Sequence, residues 1–311
     1  MTGSALCRVT PTDTGRLHVV RKRGILLSVY SVSKCTRKAE QTVDVKIIVA
    51  THKKYRMPVD EMYLPVHVGA VGNETVSGCQ RDDEGENISA LNPYFCELTG
   101  LYWAWKNLEA DYIGLVHYRR HFLRRFCGKG LRGAVLKKRN LEKDLGRIKV
   151  FVPKKRRYWI ESLYSHYEHT HQGIHLDEAR SIIGEKYPEY LESFDKAVKR
   201  RSGYMFNMMI MERELFNDYC AWIFDILFEL RKRLGEESLT PYQSRYCGRI
   251  SEIIFNVWLL QQVKNGRLKP SEIKEIPIVM TERVNWRKKG IAFLKAKYLG
   301  IKYDNQEPDI F

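Results

Sequence analysis

Apolar residues along the chain fall into two kinds of run. Short, nearly continuous and β-branched runs occur at Val45–Ala50, Tyr63–Val68, Asp111–Val116, Lys149–Val152, Gly203–Met211 and Ile276–Met280. Runs of that length suit strands, and those at Val45–Ala50 and Asp111–Val116 read as buried on both faces of a sheet. Helical spacing separates them, from Asn92 to about Asn107 and at Ile160–His169, Leu176–Tyr187, Tyr190–Lys199, Glu212–Leu234 and Ser251–Lys264. Asn92-Pro93 reads as a helix start, Asn as the cap and Pro in the first turn. Pro188 divides two helices, and Gly72–Ser89, rich in Gly, Asn, Asp and Glu, reads as a loop. Strands alternating with helices predict an α/β domain with a mainly parallel sheet.

Three segments follow from the pattern. Residues 1–43 lack periodicity and read as a basic, disordered extension; 44–282 form the domain; 283–311 form a basic amphipathic tail. Within that tail, Trp286–Lys302 mixes Trp286, Ile291, Leu294, Tyr298 and Leu299 with six Lys/Arg. That mixture fits either a helix lying in a membrane interface or one packed on the domain.

Composition narrows the class. With 44% hydrophobic and 12% aromatic residues in 311, a disordered or low-complexity protein is excluded. The net charge of +16 is concentrated: residues 1–43 hold eight Lys/Arg against two acids, and 117–159 hold sixteen against two. The remainder is slightly acidic, so the surplus points to an anionic partner met by particular segments. Seven cysteines, none closer than 17 residues to the next, provide no CxxC pair and read as free thiols of a reducing cytoplasm. No apolar run approaches the ~18 residues of a spanning helix. Gly24–Val32, behind Arg21-Lys22-Arg23, starts late and lacks the cleavage site of a signal peptide.

Three local signals bear on chemistry. Gly128-Lys129-Gly130-Leu131-Arg132-Gly133 matches a dinucleotide fingerprint. It follows no strand directly and lacks the later acid in a βαβ setting, so it reads as a basic loop. His166, His169, His171 and His175 lie within ten residues beside Glu168. Their spacing permits metal ligation, but no H-E-x-x-H is present and a wet helix surface explains them as well. The run Asp111–Val116 leads straight into His117-Tyr118-Arg119-Arg120-His121. Ligands of open α/β sheets sit beyond the carboxyl ends of strands. Guanidinium forks there suit a pyrophosphate, although a turn of solvated charge is the plain alternative.

The segments VKIIVATHKKYRMP (45–58), YLPVHVGA (63–70), GENISALNPYFCELTGLYWAWKN (85–107), DYIGLVHYRRHF (111–122), FNMMIM (206–211) and SEIIFNVWL (251–259) together resemble a bacterial family. Its members assemble capsule, exopolysaccharide and O-antigen and were long catalogued only as a domain of unknown function; some are galactofuranosyltransferases. The resemblance covers about 45–282. It implies a GT-A-like nucleotide-sugar transferase fold and an inverting transfer of galactofuranose from UDP-galactofuranose to a lipid-linked glycan, another UDP-hexose being the alternative donor. Many transferases of that fold hold a divalent cation with Asp-x-Asp, which this chain lacks throughout. A divalent cation is therefore not expected, and Arg119 and Arg120, with His117 or His121, are expected to stabilise the leaving UDP.

An inverting transfer needs a base for the acceptor hydroxyl. Glu252, at the start of the helix predicted from Ser251, is the first candidate, with Asp82, Asp83 and Glu86 in reserve; an acid in a first turn also simply complements the helix dipole. Thr51, His52 and Lys53 follow the first strand, where uridine or its diphosphate is expected. Tyr118 belongs with the cationic run. By resemblance, Asn87, Asn92, Glu97 and Thr99 contact sugar hydroxyls. Trp103 and Trp105 suit either ring stacking or the core. Asn207, in an apolar run, needs a partner if buried, for which a ligand hydroxyl qualifies.

Acceptors of such pathways are built on polyprenyl diphosphate, so the basic stretches, Lys137–Arg139 and Lys154–Arg157 among them, are expected to meet an anionic membrane surface from its cytoplasmic side. A nucleic-acid-binding module is the rival from net charge, but no RNA- or DNA-reading motif supports it. A non-catalytic scaffold is the third reading.

Overall fold

A computed structural model describes residues 43–124, 135–235 and 239–281. The extension, the Gly128–Gly133 fingerprint and the tail all lie outside them. The elements are β1 (Val45–Thr51), β2 (Tyr63–His67), β3 (Gln80–Arg81), α1 (Asn92–Phe95), α2 (Leu98–Asn107), β4 (Tyr112–His117) and β5 (Arg120–Phe122). There follow α3 (Lys138–Leu141), β6 (Val150–Pro153), β7 (Arg156–Arg157), α4 (Leu163–Thr170), α5 (Ile174–Lys186), α6 (Leu191–Val198) and β8 (Ser202–Gly203). The last are β9 (Met209–Glu212), α7 (Arg213–Leu234), α8 (Tyr246–Lys264), β10 (Ile273–Ile276) and β11 (Ile278–Met280).

The main sheet runs β10-β6-β9-β4-β1-β2-β3, with β5 on β4 and β11 on β5. Pairs β1–β2, β1–β4, β2–β3 and β6–β10 are parallel, whereas β9 enters antiparallel between β4 and β6. The sheet is thus mostly parallel but mixed. The continuous apolar runs have the cause expected of them, since each inner strand is covered on both faces. Ile48, Ala50, Ile113 and Leu115 face a large core with α2 and α5–α8. Ile47, Val49, Tyr112 and Val116 face a second core with Leu136, Leu141 and Ile148. Gly114 lets β9 approach: a Cβ there would stand 2.7 Å from the Met209 carbonyl oxygen.

Several expectations are corrected. The helix from Asn92 is two helices broken at Cys96, whose φ is 53°. Asn92 is not the cap, because Leu91 holds that position; the Asn92 Nδ2 instead donates to the Cys96 carbonyl (2.8 Å) and to Thr99 Oγ1 (3.2 Å). The apolar run Gly203–Met211 is not one strand: Gly203 closes β8 and β9 starts only at Met209, since Phe206 and Asn207 take positive φ of 76° and 50°. The helix predicted from Ser251 begins at Tyr246. Finally, Ile276–Met280 is split by Pro277 into β10 and β11, and the loop Gly72–Ser89 contributes the edge strand β3.

Candidate functional site

Strand β1 has β2 on one side and β4 on the other, so strand order reverses at its carboxyl end. Such a switch point leaves a crevice between the diverging loops. Two adjoining cavities occupy it, of about 340 Å³ and about 190 Å³. The larger lies at the ends of β1 and β4 and is lined by Thr51, His52, Asn92, Tyr118 and Ser244, among others. The smaller reaches under α4 and α8 and is lined by Arg120, Arg156, Tyr158, His166, Phe206, Arg249 and Glu252, among others. Cys96, Glu97, His117, Arg119 and Arg245 border both.

The break between α1 and α2 explains how Glu97 enters the crevice. Asn92 bonds across it, and Thr99, fully buried beneath, donates from Oγ1 to the Cys96 carbonyl (3.1 Å). Gly69 must be glycine here, because at its φ of 67° a Cβ would stand 2.6 Å from Asn92. With the break lashed from behind, Glu97 projects from the N-terminus of α2 toward His117.

The opposite wall is the left-handed turn Phe206-Asn207. Asn207 is 2% exposed and fully satisfied: Nδ2 donates to Glu97 Oε1 (2.7 Å) and the Gly248 carbonyl (2.9 Å), and Oδ1 accepts from Ser251 Oγ (2.9 Å). Its partner is protein rather than a ligand hydroxyl. His117 Nε2 lies 2.6 Å from the Phe206 carbonyl oxygen, so that nitrogen carries the proton and donates. The Phe206 backbone also favours the ionised form of Glu252. One two-residue turn therefore bears on Glu97, His117 and Glu252.

Electrostatics divides the two carboxylates. Burial alone would raise Glu97, but His117 and the Asn207 amide outweigh it and hold the group below the usual carboxylate range. Burial raises Glu252, and the nearby Glu97 charge raises it further, against the pull of Arg120 and Arg249. Burial also lowers His117, against the upward pull of the Glu97 charge. One carboxylate is thus kept ionised while its neighbour is poised to exchange a proton nearer neutrality, the division expected of an acid/base site.

The arginines carry the opposite charge. Arg119 and Arg120 occupy the β4–β5 turn; Arg120 lies over the Phe206 ring at 4.6 Å. Its buried Nε has no hydrogen-bond partner among the described residues. A buried donor left in that state costs about 1–3 kcal/mol, which an anion in the cavity would recover. Arg245, Arg249 and Glu252 follow one another at spacings of four and three on or at the start of α8, which places them on one helical face.

Other predicted residues lie elsewhere. His121 sits on β5 with its ring 6.3 Å from Tyr63, and burial lowers its pKa to about 4, so it is a neutral core group outside both cavities. Asp83 pairs with Arg81 (2.6 Å), and Asn87 braces its own loop through the Asp83 and Gly85 carbonyls. Neither lines a cavity. Asp82 is consumed by the Gly69 and Ala70 amides and Ser89, and Glu86 by Tyr102 and Lys106. Lys53 sits against the Tyr118 ring at 5.2 Å. Trp103 donates to the Glu84 carbonyl and Trp105 stacks on Phe224, so both belong to the core. Glu161, not Glu168, takes the Nδ1 atoms of His166 (2.8 Å) and His169 (2.6 Å), while His175 bonds Tyr167. Among the described residues no three His, Cys, Asp or Glu side chains are grouped to hold a metal ion, and no helix is long and apolar enough to cross a membrane.

Arg156, Tyr158, Arg245 and Arg249 were not anticipated. The spacing of Arg245, Arg249 and Glu252 was a usable signal, hidden by placing the helix start at Ser251. Arg156 and Tyr158 had no signal beyond membership in a basic run.

An open α/β sheet with a divided, arginine-lined crevice at its switch point defines the class: an α/β protein with two carboxylates in that crevice. Residues 46–264 match the model of a family described as a domain of unknown function (DUF4422), and the chain belongs to that family. It is also similar to the apo structure of the WbbM bifunctional glycosyltransferase, at 29% identity and a TM-score of 0.70 over 78% of this chain. The match spans 46% of that structure, about half its length. No curated protein matches the chain. The α/β fold read from the residue pattern, GT-A-like by the family resemblance, is the fold of that transferase.

Proposed function

We propose that the protein is an inverting glycosyltransferase that moves galactofuranose from UDP-galactofuranose to a lipid-linked glycan at the cytoplasmic membrane surface. The observation that carries this is the divided crevice: it is lined by arginines, and Arg120, whose Nε donor is unmet, faces the charge of Glu252, a carboxyl whose pKa is raised. The donor's uridine takes the larger cavity at Thr51, His52 and Tyr118, and its diphosphate lies toward Arg119, Arg120 and Arg245. The acceptor enters the smaller cavity. Glu252 takes the proton of the acceptor hydroxyl as that oxygen attacks the anomeric carbon from the face opposite the diphosphate. The anomeric C–O bond to UDP breaks, inverting the centre, and the electron pair departs on the diphosphate. Two or three charge-assisted contacts of about 1.5–3 kcal/mol each supply much of the stabilisation that a metal gives in other transferases.

Similarity to a bifunctional glycosyltransferase supports the reaction class; the sugar rests on the family resemblance. The test is incubation with UDP-galactofuranose or UDP-galactopyranose, a lipid-linked acceptor and EDTA, followed by mass and linkage analysis. A β-furanoside formed only from the first donor, undiminished by EDTA, is expected. Transfer from the pyranose alone would change the donor, and strict dependence on Mn²⁺ would remove the arginine mechanism.

A further inference from the structure

Residues 156–159 alternate between the cavity and solvent. Arg156 and Tyr158 line the smaller cavity, while Arg157, Trp159 and Ile160 face outward. Trp159 is 78% exposed and Ile160 58%, which singles them out as an adjacent pair of large apolar side chains standing in solvent. Folding brings a second basic run beside them. Strand β7 pairs antiparallel with β8 through Arg156–Gly203 and Arg157–Ser202. The Tyr158 and Leu163 amides then bond the Arg201 and Arg200 carbonyls at 2.7 and 2.9 Å. The loop carrying Trp159 and Ile160 is thereby held against Lys199-Arg200-Arg201, all exposed. Lys154 and Lys155 flank it on the other side, also exposed. Of the acids nearby, Glu275 accepts from the Tyr204 hydroxyl (3.0 Å), Asp195 faces Lys199 but is paired with Arg180 (2.8 Å), and Glu161 is buried under its two histidines.

We infer that this lip is a docking surface for an anionic lipid bilayer, with Trp159 and Ile160 entering the headgroup region and the two basic runs meeting its charge. An indole and a branched aliphatic tip ringed by Lys and Arg match the interface of an acidic membrane in both polarity and sign. A neutral glycan would use the indole but leave the cations without a purpose. Arg156 and Tyr158 of the same segment line the smaller cavity, so docking places that cavity beside the lipid surface, where a lipid-linked acceptor presents its sugar. This deepens the proposed function and rests on it for the acceptor, while the docking itself is measured without turnover.

The test is sedimentation of the full-length protein with sucrose-loaded vesicles, either phosphatidylcholine alone or with one-third phosphatidylglycerol. Binding to the anionic vesicles that falls with salt is expected. Trp159→Ala/Ile160→Ser and Lys199→Glu/Arg200→Glu should each weaken it roughly tenfold, with circular dichroism and UDP-induced thermal shift unchanged. Trp159 fluorescence, taken as wild type minus Trp159→Phe, should shift blue on anionic vesicles. Undiminished binding by both double variants would overturn the inference. So would a loss of self-association, or of soluble-glycan binding, without loss of vesicle binding. A protein that docks as described yet transfers no sugar would sink the transferase reading alone.

Discussion

The two walls of the crevice are built by opposite means. The β1/β4 wall is regular: two parallel strands, in register from Val45–Tyr112 to Ala50–His117, end together and release their next residues into the opening. Its backbone is satisfied by the sheet, and Thr51, His52, His117 and Arg119 line the opening. The facing wall is irregular, made of a left-handed Phe206-Asn207 turn bonded to α2, to α8 and to His117. Non-glycine residues in that conformation cost about 1 kcal/mol or more each, and persist only where surrounding bonds determine them. The contrast teaches a division of labour. The regular wall presents cations, and the strained wall sets the separation and ionisation of the two carboxylates.

The sharpest way to break that comparison is Glu252→Gln, expected to lower kcat by about 10²–10⁴ while the protein stays folded. Wild-type kcat/KM should rise with pH through an apparent pKa above the ordinary glutamate range, because the base works deprotonated. Stability carries the opposite sign. A carboxyl raised by burial contributes most below its unfolded pKa, and that contribution is lost as pH rises through its folded pKa. Glu252→Gln should therefore gain on wild type in melting temperature as pH moves from about 4 to about 8, because only the wild type must then bury a charge or hold a proton against the solvent. An unchanged turnover in this variant, measured as UDP release, would move the base elsewhere.

Arg120→Ala should cost about 10²–10³ in kcat, the loss typical of one preorganised donor to a developing charge. If only KM rises, Arg120 binds the ground state and the regular wall does less than supposed. Gly114→Ala should destabilise by about 1–3 kcal/mol in urea denaturation, since its Cβ would meet the β9 backbone. Asn207→Ala, leaving Glu97 and Gly248 without their donor, should cost a similar ~1–3 kcal/mol and also move the pH profile, which a purely structural loss would not. The smallest effect should be Thr99→Val, about 1 kcal/mol from the two bonds its hydroxyl makes behind the α1–α2 break, since Asn92 keeps its bond to the Cys96 carbonyl.

Much of the fold was legible in the sequence because strand burial and helix amphipathicity are local signals. The runs from Val45 and Asp111 gave away the two strands at the switch point, and His117-Tyr118-Arg119-Arg120 announced a cationic edge. Legibility failed where side chains from distant segments decided the backbone. Nothing in an apolar stretch warns that Phe206 and Asn207 turn left-handed, because the bonds that hold the turn come from Glu97, His117 and Gly248, roughly 40 to 110 residues away. For the same reason the motif residues separated in ways no spacing foretold. Glu97 and Glu252 came into the crevice, whereas Thr99, Asn207 and His121 went behind its walls. Composition and periodicity determined which residues are buried and which segments are strands; only three-dimensional packing decided which strands lie side by side, which polar groups find protein partners and which, like the Arg120 Nε, do not.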